Sequence, residues 1–141
     1  MFKNLIAISI VILLILTTLG GCLERKIEFI GDTDKVEMVE YTIIAEDENK
    51  NVIGDSFNYN DGVYAYKING SVRNSAGERL SRVWVSIKFH DGDDNFLDSK
   101  TYLIIDFASN DVKDFSLTFT NDENYFRDIS NIYFVYVATR D

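Results

Sequence analysis

Val83-Trp84-Val85-Ser86-Ile87-Lys88-Phe89 decides the fold. Val83, Val85, Ile87 and Phe89 alternate with Trp84, Ser86 and Lys88, a period of two that puts one side of an extended chain in a core. His90-Asp91-Gly92-Asp93-Asp94-Asn95 follows, rich in the residues that make tight turns, and then a second extended run, Phe96–Ile105. The same pattern recurs outward in both directions. Val36–Ala45 places Val39, Tyr41, Ile43 and Ala45 on one face. Val63–Val72 groups Tyr64, Tyr66, Ile68, Gly70 and Val72 opposite Lys67, Asn69 and Ser71. Val112–Phe119 turns Phe115, Leu117 and Phe119 inward, with a register slip near Asp114 that suggests a bulge. Ile132–Val137 is aromatic and β-branched throughout.

Outside the first twenty residues no segment has a helical stripe, and Asp122–Asp128 offers at most one helical turn. Six short strands joined by Asn, Asp and Gly turns predict an all-β fold, an antiparallel two-sheet immunoglobulin-like sandwich, with a small closed barrel as the alternative. The 141 residues contain no Pro, where average usage would supply about seven. The turns therefore rest on Asp61-Gly62, Ser75-Ala76-Gly77-Glu78, the 91–95 stretch and Ser109-Asn110. One domain is expected, over 36–141.

The amino-terminal end differs in kind. Residues 1–21 hold 14 of the chain's 65 hydrophobic side chains and one charge, Lys3. A positive start, the apolar run Leu5–Leu16 and the small-residue close Leu19-Gly20-Gly21-Cys22 match a secretory signal peptide. Leu19, Gly20, Gly21 and Cys22 resemble the lipobox of prokaryotic lipoproteins. That resemblance implies transfer of diacylglycerol to the Cys22 thiol and cleavage before it, leaving 22–35 as a tether with one short strand at Ile27–Ile30. Two readings compete: Cys22 as an apolar residue of an uncleaved signal anchor, and Cys22 as a redox thiol. As the lone cysteine it has no partner for an internal disulfide. With either anchor the domain lies on the extracytoplasmic face of the membrane.

Gly70-Ser71-Val72-Arg73-Asn74, Val83–Asp91, Phe96-Leu97-Asp98-Ser99 and Phe115-Ser116-Leu117 resemble the FxLYD domain, a small β-sandwich common in prokaryotic surface lipoproteins. The likeness spans about Val36 to Val137. The family's naming motif falls on Ile87-Lys88-Phe89-His90-Asp91, where the Asp and the aromatic-aliphatic character survive. The Pro-Gly usual before the next strand is Ala108-Ser109-Asn110 here. The resemblance implies an accessory or binding module and carries over no catalytic residue.

The remaining chemistry is sparse. The net charge of −9 becomes −10 beyond Cys22, which excludes nucleic acid as a partner held through its phosphates. His90 beside Asp91 has no second His and no spare Cys, so nucleophilic and metal chemistry lack a third member. Paired carboxylates for glycoside hydrolysis need a deep cleft that 120 residues rarely supply. Asp91-Gly92-Asp93-Asp94-Asn95 begins like a calcium loop, but Phe96 and Tyr102 stand where that loop needs Gly and Glu. No cofactor and no metal site are expected. Asn69-Gly70-Ser71 is an N-glycosylation acceptor triplet. Trp84, Tyr102 and Tyr133 could together form a sugar-stacking face, or simply pair across strands.

Strand alternation brings alternate loops to one end. The loops at 46–62, 91–95 and 120–131 should gather there, carrying Glu46, Asp47, Glu48, Asp91, Asp93, Asp94, Asp122 and Glu123. The tether is expected to enter at the other end, so that the acidic end points outward and offers a divalent cation or a basic partner its surface. The functional expectation is a lipid-anchored, non-catalytic interaction or accessory module with a protein or cell-envelope partner. The alternative is a lipoprotein that binds a sugar or divalent cation for a transporter or surface enzyme.

Overall fold

A computed structural model describes residues 25–58 and 62–140. Among the described residues, eight strands build two facing sheets: β1 (Lys26–Gly31), β2 (Val36–Glu46), β3 (Val52–Gly54), β4 (Ala65–Asn74), β5 (Leu80–His90), β6 (Phe96–Phe107), β7 (Val112–Thr120) and β8 (Asn131–Thr139). One sheet runs β1-β8-β5-β6 and the other β3-β2-β4-β7. This is the two-sheet sandwich that the period-two runs predict. Val83, Val85, Ile87 and Phe89 are fully buried, as the alternation in β5 requires. Phe89 sits at the aromatic centre, 4.2 Å from the Phe119 ring and 5.6 Å from that of Phe57.

Four local expectations need correction. The short strand expected at Ile27–Ile30 is present as Lys26–Gly31, but it belongs to the domain rather than to a tether, paired in parallel with β8 from Lys26↔Asn131 to Gly31↔Tyr136. Its charges face solvent, so it looks like a linker, yet its backbone extends the sheet and Phe29 packs 5.0 Å from Phe134. Val39 does not share a face with Tyr41, Ile43 and Ala45. It is the extra residue of a bulge between Met38 and Glu40, and it is 44% exposed. Before the bulge, Val36 and Met38 take the inner positions instead. No bulge occurs at Asp114, because β7 pairs with β4 without interruption from Val112↔Arg73 to Thr120↔Ala65. Finally, the loop expected after Val36–Ala45 holds the short strand β3.

Two small residues fix close approaches. A Cβ on Gly70 would lie 2.5 Å from the Phe115 ring, which covers that glycine. At the far end from the acidic loops, Asn74 is fully buried. Its Nδ2 donates to the Glu78 and Phe107 carbonyls, each at 2.8 Å, and its Oδ1 accepts from the Ala76 amide at 3.0 Å.

Candidate functional site

The three acidic loops do converge on one end of the sandwich. Tyr64 donates to Asp122 at 2.7 Å, Ser130 donates its amide to the His90 carbonyl at 2.8 Å, and the Asn131 side chain reaches the Asp91 carbonyl at 3.2 Å. Phe57, Phe126 and Ile129 from these loops plug the core beneath.

Two of the loops are built alike. Asp47-Glu48-Asn49-Lys50-Asn51 and Asp91-Gly92-Asp93-Asp94-Asn95 are both hairpin connections spelled Asp-x-x-x-Asn. Asp47 Oδ1 accepts the amides of Asn49 and Asn51, both at 2.9 Å, and Asp91 Oδ1 accepts those of Asp93 and Asn95 at 2.9 and 2.8 Å. In each loop the Asn side chain returns to the second carboxylate oxygen, at 3.3 and 3.2 Å. The fourth residue takes the left-handed conformation, with φ 63° at Lys50 and 62° at Asp94. The backbone amide of Asn51 holds the Asp47 carboxyl below its usual range, and that of Asn95 does the same for Asp91.

Three tyrosine–carboxylate bonds fix the loops, the first to one another and the other two to strands β8 and β6. Asp122 accepts from Thr120 and Tyr64, each at 2.7 Å, which lowers the Asp122 carboxyl and raises the Tyr64 phenol. Tyr133 donates to Asp94 at 2.8 Å, and that carboxylate raises the phenol. Tyr125 donates to Asp98 at 2.8 Å; burial first, and then Asp98, push this phenol well above its usual value. Glu46 is 7% exposed and ion-paired with Lys67 at 3.0 Å. Of the eight acidic residues expected at this end, only Glu48, Asp93 and Glu123 keep side chains without a hydrogen bond or ion pair among the described residues. No three His, Cys, Asp or Glu side chains among the described residues are arranged to hold a metal ion.

The chain enters at this same end, which reverses the expected polarity. The expected polarity takes Val36–Ala45 as the first strand; β1 precedes it and pairs in parallel with β8 from Lys26↔Asn131, so the first described residue stands among the acidic loops. That residue, Arg25, is one the sequence reading missed. Its guanidinium donates to the carbonyls of Phe57, Phe126 and Ile129, the last from Nε at 2.8 Å, and to the Tyr66 hydroxyl at 3.0 Å. A lone Arg in a charged stretch gives no sequence signal of this role.

Asn69 is exposed in the middle of β4, accepting from the Ser116 hydroxyl at 2.7 Å, while Ser71 is nearly buried and donates to Asp114 at 2.6 Å. The acceptor triplet therefore lies in a strand paired on both sides. Trp84, Tyr102 and Tyr133 form no common platform. Tyr102 pairs with the inward Val85 and approaches the Phe115 ring, on the opposite side of the sheet from Trp84. The His90 ring contacts the Asp94 carbonyl at 3.0 Å and the Asp94 carboxylate at 3.4 Å. Leu19, Gly20, Gly21 and Cys22 lie outside the described residues, as does Asp61. No helix among the described residues is long and apolar enough to cross a membrane. In comparisons with known proteins, the chain matches no family model and no curated protein.

Proposed function

We propose that this chain is a lipid-anchored lipoprotein of the extracytoplasmic membrane face, and that its β-sandwich is a non-catalytic interaction or accessory module. The reading is carried by Leu19-Gly20-Gly21-Cys22 directly after an apolar leader. The likeness to FxLYD domains and the acidic surface support it. Its partners are then the membrane, through Cys22, and a protein or envelope component.

Only Leu23 and Glu24 separate Cys22 from Arg25, a reach of about 11 Å for extended chain. An anchored domain therefore stands acidic end down. Anionic headgroups repel that end within a Debye length of about 8 Å, which favours a sandwich held off the surface rather than lying on it. Its opposite end and its sheet faces are then the parts offered to a partner. A cation-binding role is less well supported, because Asp47, Asp91 and Asp122 are engaged by amides and hydroxyls. Mass spectrometry of the mature amino terminus tests the anchor. A chain starting at Cys22 with a diacylglyceryl thioether is expected, and an intact Met1 or an unmodified Cys22 overturns the proposal.

A further inference from the structure

The β1-β8-β5-β6 sheet is apolar on part of its outer face as well as on its inner one. Because Val83, Val85, Ile87 and Phe89 are buried, Trp84 and its alternate neighbours Arg82, Ser86 and Lys88 point outward. Strand pairing sets Val137, Trp84 and Leu103 side by side across three strands. Ile105 lies two residues further along β6, and on the opposite corner Val135 of β8 pairs with Ile30 of β1. These six side chains form a band that crosses the sheet diagonally for about 20 Å, from three strand spacings and four residues of rise. Ile30, Leu103, Val137 and Ile105 are 41%, 45%, 47% and 61% exposed, with Trp84 and Val135 half-buried between them. A continuous apolar patch in contact with water marks an interaction surface.

The charges beside the band have the sign opposite to that of the domain. Arg82 flanks it on one side, and Lys88 and Lys26 stand on the other. None of the three has an ion-pair partner among the described residues. The paired rows set one carboxylate against them, Glu28, and the Asp94 carboxylate at the loop end is taken by the Tyr133 hydroxyl. Elsewhere cations are mostly engaged in ion pairs, as Lys67 is with Glu46 and Arg79 with Asp106. In a domain that carries −10 beyond Cys22, unpaired cations around an apolar band are complementary to the reverse pattern, an apolar strip between carboxylates.

We propose that this face docks an acidic amphipathic helix of a partner protein, with its apolar stripe along the band and its carboxylates toward Arg82, Lys88 and Lys26. The band is as long as about thirteen helical residues. A second copy of the same face would set like cations against one another. A bilayer is a poor occupant because of where the chain enters: Lys26 pairs with Asn131 at the acidic end, and Trp84 lies six residues of β5, about 20 Å, from His90 at that end. A domain lying on this face would press its acidic loops onto anionic headgroups. The proposal rests on the reading of the sandwich as an interaction module and not on the anchor. If docking fails while the mature chain begins at a lipidated Cys22, the face assignment falls and the lipoprotein reading stands.

Trp84 is the chain's only tryptophan, so 5-fluorotryptophan places a single 19F nucleus on the band. The probe is a hydrocarbon-stapled helix of about thirteen residues, with leucines at i, i+3, i+4 and i+7 and glutamates on both flanks, added to the full chain in phosphatidylcholine nanodiscs. It should move the 19F signal saturably. A twin with lysine for every glutamate should bind about tenfold more weakly or worse, and a twin with alanine for every leucine should leave the signal unmoved. R82E/K88E changes two surface charges, should fold, and should reverse the preference between the charged twins. I105S should weaken the glutamate peptide several-fold. The proposal is overturned by an absent or unsaturable shift, by equal binding of the charged twins, or by a preference that survives R82E/K88E. A shift without peptide also overturns it: on raising the protein concentration, the face belongs to a second copy, and on replacing phosphatidylcholine with phosphatidylglycerol, to the bilayer.

Discussion

The guanidinium of Arg25 donates to the hydroxyl of Tyr66 at 3.0 Å, joining the first described residue to a fully buried ring of β4. The same side chain satisfies carbonyls in three separate places: Phe57, Phe126 and Ile129. R25A would remove the guanidinium from all of these acceptors at once, leaving the Phe57 carbonyl to the Tyr66 hydroxyl and the Phe126 carbonyl to the Ile129 amide, each at 3.3 Å. Unfolding in urea should show a loss of about 2–4 kcal/mol with an unchanged slope. R25K should recover only part of this, because an ammonium cannot span the planar fork of donors that the guanidinium offers.

The matched loops at Asp47 and Asp91 predict how the fold responds to acid. Both carboxyls are depressed in the folded protein, first by the amides of Asn51 and Asn95, and Asp122 is depressed first by the Thr120 hydroxyl. A group with a lowered folded pKa contributes stability that is present above its unfolded value and is lost as pH falls through the folded one. Melting temperature should therefore be flat from neutrality to about pH 5 and fall below about pH 4. D47A and D91A should each lower the melting point at pH 7 and shrink the acid-dependent fall. The two changes should add, since the loops share no partner. A melting point as steep in acid for the double variant as for the parent would contradict the assignment.

Asn74 holds the opposite end in the way Arg25 holds this one. Its amide is buried and saturated by the Glu78 and Phe107 carbonyls and the Ala76 amide. N74A should cost about 2–3 kcal/mol, measured by chemical denaturation. N74D should cost more, because it would set a carboxylate against two carbonyl oxygens where donors are required.

How much of this was legible depends on whether a residue's role is set by its own strand or by distant chain. Val83–Phe89 could be read directly, because a central strand buried on one face carries its alternation in its side chains. The convergence of the three acidic loops was also legible, since antiparallel strands must alternate in direction. Three things were not. The strand at Ile27–Ile30 could be read, but its place in the sheet could not: in β1 only Ile27 is half-buried and the rest is exposed, so that place comes from backbone pairing with β8. Val39 looks like a core valine because a bulge shifts the register by one residue, and the reason lies in pairing with β4. Arg25 has a role fixed entirely by groups far away in sequence, the three carbonyls it serves. Leaving the Ile27–Ile30 strand in the tether rather than in the sheet was enough to place the chain's entry at the wrong end of the domain.

The pairing of β1 with β8 makes a final prediction that separates crowding from backbone strain. Gly31 closes β1 with φ 88°, and a Cβ there would fall onto the Tyr136 carbonyl, which also accepts the Asp32 amide at 2.8 Å. Asp32 in turn accepts the Ala138 amide at 2.8 Å, so the residue directly after this glycine is stitched to β8 by both its backbone and its side chain. Gly77 has nearly the same φ, 78°, but a Cβ there would meet nothing within 4 Å. G77A should therefore cost only the left-handed backbone penalty, about 1 kcal/mol. G31A should cost about 2–4 kcal/mol, because it adds a collision with backbone that cannot rotate away. Hydrogen exchange gives the sharper distinction. In G31A the amides that β1 and β8 exchange with each other should lose protection while those between β5 and β8 keep theirs. Equal costs for the two substitutions, or uniform loss of protection across the sheet, would mean that β1 is not held at Gly31.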